Sequence, residues 1–371
     1  MIEQRIQSDN RKSPADEGPV VYWASRDLRT ADNAALWYAQ QLALRHNRSL
    51  CVLFRLHSSM GYRSAQHFDF MLAGLQEFAQ ALGLLGIGFL LVTGDDVEVR
   101  RKLLEIKASA LILDFSPLRG PRKTADTFLK SPFTVAVVDA HNIVPVHQAS
   151  AKQEYAARTI RPKITGQLDD FLSQRFTVSK HPVEITLQPA DWEAAYGYIA
   201  AERPADLVII EEPGEQAGKK QLAEFIDARL HGYAEKRNDP ADDMQSGLSP
   251  YFHFGMLSAA DAVRAVSSAR ASARDKAAFI EEAVVRKELS DNFCYYNPLF
   301  DSLDGAPDWA QKTLAEHSGD IREHVYSYEE FNNAETHDPA WNAAQKQMAT
   351  TGKMHGYMRM YWAKKDTRMD S

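Results

Sequence analysis

Cysteine is nearly absent: Cys51 and Cys294 are the only two in 371 residues. Two thiols so far apart in sequence exclude a disulfide scaffold and a cysteine-based zinc site, and they fit a reducing cytosol. Long hydrophobic runs are absent too. The longest apolar stretch, residues 84–92, is closed off by Asp95, Arg100 and Arg101 and falls short of the roughly 20 residues a spanning helix needs. Residues 1–17 are polar and charged, without the apolar core of a secretory signal. An excess of positive charge is missing, since Lys and Arg number 43 against 50 Asp and Glu, a formal charge of −7. That excludes a cationic coat over the whole protein but leaves room for a local basic patch. There is no internal repeat, no low-complexity tract, and no G-x-G-x-x-G after the first strand signal. Gly83, Gly86 and Gly88 stand between a helix and a strand instead, where they end the one and turn the chain into the other.

What is present reads as a large globular protein, with 44% hydrophobic and 25% charged residues. Its length suggests two or three domains. Strand signals at 20–25, 50–56, 89–93, 110–115 and 135–138 alternate with helical patterns at 32–46, 64–82 and 97–106 and a helix between the last two strands. Asp32 or Asn33 can cap the first helix. This alternation predicts a doubly wound parallel sheet with a Rossmann-like α/β layout. Past His141 the chain turns rich in Pro and Gln, and from Gly218 onward it is helical almost throughout. The expected organisation is a mobile tail over 1–18, an α/β domain over 19–145, a linker over 146–215 and an all-α domain over 216–371.

Three segments carry the chemistry. In residues 278–294, at about 100° per residue, Ala278, Phe279, Glu282, Val285, Arg286, Leu289 and Phe293 fall within one arc of about 120°. Glu282 and Arg286 thus sit amid an apolar stripe, where charges need a partner or a cavity. Two readings stand: an i,i+4 ion pair satisfying itself, or a carboxylate and a guanidinium aimed into a ligand cavity. Residues 353–365 (KMHGYMRMYWAKK) are apolar nearly all round and predict a buried helix, with His355, Arg359 and Trp362 within about 60° of one another. A buried arginine needs an anion, either a carboxylate or a phosphate. His355 alone reads as a satisfied core histidine, and Trp341 and Trp362, 21 residues apart, read as core. In residues 245–255 (QSGLSPYFHFG), Ser246, Gly247, Leu248 and Ser249 offer N–H groups and hydroxyls to a phosphate at a helix start, a pattern many loops share. Lys152, Arg158, Arg161 and Lys163 against Glu154 give residues 152–163 a local charge of +3, and residues 353–371 carry the same; either could follow a phosphate backbone or form a solvated face.

Together, VVYWASRDLRTADNAALWYAQ (20–40), HNIVPV (141–146), KQEYAARTIRPKI (152–164), GLSPYFHFG (247–255), ELSDNFCYYNP (288–298), LDGAPDWA (303–310), THDPAWNAAQ (336–345) and TGKMHGYMRMYWAKK (351–365) resemble the class II cyclobutane-pyrimidine-dimer photolyases, in the same order along the chain. These are light-driven DNA repair flavoenzymes. The resemblance implies an α/β domain and a helical FAD-binding domain, with FAD working as reduced FADH⁻ and pyrimidine dimers in DNA as substrate. It implies that Tyr233, Ser246, Gly247, Leu248, Ser249, Asn292, His355 and Arg359 hold the flavin. Glu282 and Arg286 would meet the dimer, and Met360 would pack between dimer and flavin. Trp341 and Trp362, with Tyr361 beside them, would relay electrons to the flavin. Lys152, Arg158, Arg161, Lys163 and Arg237 would grip DNA. The implied chemistry is electron transfer from excited FADH⁻ to a dimer flipped out of the duplex. A cytoplasmic monomer without membrane contact is expected, nucleoid-associated if bacterial. No residue pattern decides whether the α/β domain carries an antenna chromophore such as a deazaflavin.

The resemblance stops at Lys365. Family members continue for several tens of residues, through the asparagine that faces the flavin N5, whereas DTRMDS follows here and Met369 stands at the spacing of the outermost tryptophan. The expectation is a helical domain incomplete at its C-terminus. Weak or no flavin binding and uncovered apolar surface around Trp309, Trp341 and Trp362 would follow. A truncated inactive photolyase and a cryptochrome-like photoreceptor without repair are the alternatives.

Overall fold

The computed structural model describes residues 2–58, 65–199 and 211–369, the side chains of 366–369 excepted. The predicted helix start at Ser64, part of the linker, and the end of the basic stretch beyond Lys365 lie outside the described residues or side chains. After a 3₁₀ turn (Ile2–Arg5) come β1 (Ile6–Asp9), β2 (Val20–Ala24), α1 (Ala34–Arg45), β3 (Leu50–Leu56), α2 (Ala65–Leu84), β4 (Gly88–Thr93), α3 (Asp96–Glu105), β5 (Ala110–Asp114), α4 (Arg119–Leu129) and β6 (Thr134–Val138). The strands form one sheet in the order β1-β6-β5-β2-β3-β4, parallel except for β1. Every residue of β2 is buried, as a strand covered on both faces requires. Alternate side chains feed two cores. Val20, Tyr22 and Ala24 join the one shared with the helical half, and Val21 and Trp23 join the one on the opposite face.

Asn33, not Asp32, caps α1, its side chain accepting from Leu36 N at 3.0 Å. Asp32 is taken by Ser258 and Arg264, at 2.9 and 2.5 Å.

The mobile tail expected over 1–18 is corrected. Ile6–Asp9 pairs antiparallel with β6 and adds a sixth strand. The anchor is Arg5, buried between the rings of Phe171 and Phe176. It donates to Gln174 Oε1 at 3.1 Å and to the carbonyls of Asp139, Asn142 and Ile143 at 3.2, 3.0 and 3.0 Å. A polar segment is ordered here because one guanidinium finds a ring of buried carbonyls.

The linker wraps the sheet rather than merely crossing it. It carries α5 (Val146–Ala149), α6 (Ala157–Thr165), α7 (Leu168–Ser173) and α8 (Trp192–Tyr198). Between α7 and α8 an extended run is held by His181 N to Leu85 O at 2.7 Å and Ser179 N to Gln40 Oε1 at 3.1 Å. Ile185 and Leu187 then pass over Gly88, where an added Cβ would come within 2.7 Å of both side chains.

The helical half holds α9 (Glu215–Ala228), α10 (Tyr233–Lys236), α11 (Ser249–His253), α12 (Ala259–Ser268), α13 (Ala273–Ile280), a π-helical turn (Glu281–Arg286) and α14 (Lys287–Tyr296). It ends with α15 (Asp308–Glu316), α16 (Tyr328–Asn332), α17 (Pro339–Thr351) and α18 (Gly356–Met369). No helix among the described residues is long and apolar enough to cross a membrane.

Candidate functional site

The strand order reverses between β5 and β2, the crevice where open α/β sheets usually take a ligand. Here a side chain fills it. Asp114 accepts from Tyr22 OH at 2.6 Å and from the N–H groups of Ser25 and Arg26 at 2.7 and 2.8 Å. Burial, with Asp27 nearby, pushes its carboxyl up to about 7.

Beside it the two halves are joined by buried ions. Arg26 pairs with Asp291 of α14 at 2.9 Å, and Asn142 Nδ2 donates to the same carboxylate at 2.9 Å. Lys287 Nζ donates to His141 O and Asn142 Oδ1 at 3.1 and 3.0 Å. Glu288 Oε1 accepts from Ile143 N at 2.7 Å. Burial opposes ionisation of Asp291, but Arg26 and Lys287 hold it well below the usual carboxylate range. Burial and the same two cations push His141 down to about 3. The sequence marks none of these as a network: Arg26, His141, Asn142, Glu288 and Asp291 lie in the family-like stretches 20–40, 141–146 and 288–298, and Lys287 lies in none of them.

The apolar stripe predicted around Glu282 and Arg286 is corrected. Their side chains are 42% and 56% exposed. They do not pair with each other, because the π turn widens the helix and places i,i+5 neighbours together. Arg286 reaches Glu281 at 2.9 Å, and Glu281 also takes both ends of Arg161 at 2.9 and 2.8 Å. Glu282 pairs with Arg237 at 2.8 Å, and the Arg237 guanidinium lies 5.9 Å from the Tyr233 ring centroid. Tyr233 packs edge-on to Phe225 at 5.3 Å. Glu282 of the π turn thus meets Arg237 and Tyr233, which lie four residues apart.

The helix over 353–365 is likewise not buried. It begins at Gly356 and covers α17 on one side, while Tyr357 is exposed and Met360 is 66% exposed. His355 precedes the helix, and its Nδ1 accepts from Tyr357 N at 3.2 Å. Arg359 is exposed and donates from Nε to Met354 O at 3.1 Å, not to a carboxylate. Trp341 is fully buried, and its ring stacks on Trp362 with centroids 5.5 Å apart and planes 15° from parallel. Trp341 Nε1 donates to Trp362 O at 3.3 Å, and Tyr361 OH donates to Asp338 at 2.6 Å. That bond pushes the Tyr361 phenol up. Of the three tryptophans expected to lose cover, Trp309 is exposed and Trp341 is not.

The turn over 246–249 leads into α11, a helix of 5 residues without a side-chain cap. Gln221 Nε2 donates to Ser246 O at 2.9 Å, and Gly247 has φ +70, with an added Cβ falling 2.6 Å from that nitrogen. Leu248 is fully buried and Ser249 exposed. The turn borders a cavity of about 570 Å³, the size of a cofactor pocket. Gly247, Gln221, Gln245, Gln347, Thr351 and His355 line it. His355 Nε2 is buried without a hydrogen-bond partner. The cavity's cations are tied to carboxylates, Lys353 to Glu211 at 3.4 Å and Lys220 to Glu212 at 3.9 Å. A phosphate would have to compete for them. No group of three or more metal-ligating side chains occurs among the described residues.

Asn292 is buried and spends its amide on the linker, accepting from Glu154 N at 2.8 Å and donating to Lys152 O at 3.0 Å. Among the basic residues, Lys152 and Arg158 are exposed with no ion pair among the described residues, and Lys163 pairs with Glu154.

A doubly wound sheet clamped through buried ions onto a helical half with a deep polar cavity defines a class of fold, that of photolyases and cryptochromes. A bacterial class III photolyase from Agrobacterium tumefaciens superimposes with a TM-score of 0.74 at 20% identity, over 97% of this chain and 75% of that one. A cryptochrome from Synechocystis sp. PCC6803 gives 0.72 at 16% identity, over 97% and 77%. The DNA photolyase family pattern matches residues 20–183. Curated proteins named deoxyribodipyrimidine photo-lyase are 44% identical in Potorous tridactylus, 43% in rice and 43% in Arabidopsis thaliana, over 93%, 94% and 97% of this chain. The chain spans 66%, 72% and 76% of their lengths. It belongs to the DNA photolyase family.

Proposed function

We propose that this chain catalyses light-driven repair of cyclobutane pyrimidine dimers in DNA, as a cytoplasmic monomer that is nucleoid-associated if bacterial. The carrying observation is the 43–44% identity, over more than nine-tenths of the chain, to proteins named deoxyribodipyrimidine photo-lyase. One feature of the cavity suits a flavin dinucleotide: His355 Nε2, buried without a hydrogen-bond partner, offers a polar contact. Gly247 and His355 line the cavity, and with Ser246, Leu248, Ser249, Tyr233 and Arg359 they would hold FAD. Bound in reduced form, FAD supplies an electron that light makes available. Any antenna chromophore in the α/β domain belongs to this proposal as well.

The protein's own residues then position the substrate and shield the chemistry. Glu282 and Arg237 present an acceptor and donors to the edge of a dimer swung out of the duplex, and Arg286 adds positive charge beside them. Met360, exposed on α18, gives a polarizable apolar contact. The Trp341–Trp362 stack offers two touching π-systems as an electron relay, with Tyr361 fixed next to it by Asp338. Lys152, Arg158, Arg161, Lys163 and Arg237 hold phosphates without reading sequence.

The test is an absorption titration of the purified chain with FAD, followed by blue-light irradiation of a dimer-containing oligonucleotide. Flavin uptake and dimer loss in light but not in darkness are expected. Flavin uptake without repair would favour a photoreceptor, and failure to take up FAD would refute the proposal.

A further inference from the structure

We propose that Tyr155 stacks inside the DNA duplex at the gap left by the extruded dimer, a role that rests on the repair function above. Tyr155 is 80% exposed, and its hydroxyl makes no hydrogen bond among the described residues. A lone exposed aromatic means little by itself, so its setting decides.

The first feature is its mount. Asn292 holds both Glu154 N and Lys152 O, and the Glu154 carboxylate is fixed by Ser150 Oγ at 2.6 Å and by Lys163. Ala157, which opens α6, is buried. Tyr155 therefore projects from a backbone already fixed, and a two-torsion aromatic on such a stub loses little freedom on contact. The second feature is its position. Tyr155 stands one residue before the N-cap Ala156, where an apolar side chain ordinarily folds back onto the helix. The residue it would cover, Ile160, is fully buried while Tyr155 itself stays exposed. Packing does not account for the ring.

The third feature is charge. Lys152 and Arg158 flank it, exposed and without ion pairs among the described residues. Four residues along α6 from Ala157, about 6 Å along the helix, Arg161 joins α6 to Glu281 and hence to Arg286, and Glu282 with Arg237 follows on the π turn. The strip has five cations against two carboxylates, Glu281 and Glu282, and suits two phosphate backbones with an aromatic between them. Extruding a dimer leaves an unstacked gap, and side-chain wedges occupy such gaps in duplexes.

Binding of wild type, Tyr155→Ala and Tyr155→Phe is measured by anisotropy on a dimer-containing duplex, the undamaged duplex and the dimer-containing single strand. A 2-aminopurine opposite the lesion reports the gap. Tyr155→Ala should weaken binding to the damaged duplex by about five- to hundredfold and change the 2-aminopurine signal. It should leave single-strand binding within about twofold, since a single strand has no gap to fill. Tyr155→Phe should behave as wild type. The proposal is overturned if wild type prefers damaged duplex and Tyr155→Ala matches it, or if the loss is equal on single strands. If wild type itself shows no preference for damaged duplex, the repair function fails and the Tyr155 role falls with it.

Discussion

Glu288 is buried at the junction of the two halves, one carboxylate oxygen accepting from Ile143 N and Val144 N at 2.7 and 3.3 Å, the other buried without a partner. Burial pushes its carboxyl up to about 8, against the opposing pull of Lys287 and those N–H groups. In an unfolded chain a glutamate titrates near 4.3. Between about 4.3 and about 8 the folded protein keeps a proton that the unfolded chain has released, so stability falls as pH rises through that window. A gap of about four units at about 1.4 kcal/mol each makes the full cost about 5 kcal/mol above it. Glu288→Gln keeps an oxygen for the two N–H groups and removes the titration. The variant should match wild type within about 1 kcal/mol near pH 5 and gain about 3–5 kcal/mol near pH 9. Urea unfolding followed by tryptophan fluorescence at several pH values, with slopes compared, measures this. An advantage that fails to grow with pH, or a variant weaker than wild type throughout, would show that Glu288 is ionised in the fold and would refute the reasoning.

Arg5→Ala strips the donors from three buried carbonyls and Gln174 and should cost about 2–4 kcal/mol. Hydrogen exchange should then rise along β1 and β6 and not in α17. His141, pushed down to about 3, should show no NMR titration between about pH 5 and pH 8, and by taking no proton it should let stability fall as pH drops below about 6.5. A midpoint near the ordinary histidine value would refute this. Trp341→Ala should cost about 3–5 kcal/mol, because the ring is fully buried. Trp362→Phe should leave the circular dichroism unchanged and slow photoreduction of bound FAD; an unchanged photoreduction rate would remove Trp362 from the relay.

The sequence by itself determined the sheet. β3 runs from Leu50 to Leu56 as its apolar pattern predicts, and the other four parallel strands fall within a residue or so of their signals. Strands buried on both faces read as continuous apolar runs closed by turns, and that information is local. The change to helices past the linker was legible for the same reason. Membership of the photolyase family was legible in motifs from residue 20 to Lys365. β1 was not: a polar segment gives no period, and Arg5 finds its carbonyls 134 or more residues away. The Glu282–Arg286 stripe failed because 100° per residue holds for an α-helix, and the π turn shifts the phase at that point. The clamp of Arg26, Asn142, Lys287, Glu288 and Asp291 was invisible because each residue alone looks like a polar or charged surface residue. Tertiary structure decided which charges meet, which are buried and which way Tyr155 faces. Periodicity is a property of neighbours along the chain, whereas a charge's partner and its dielectric are set by segments that only folding brings together.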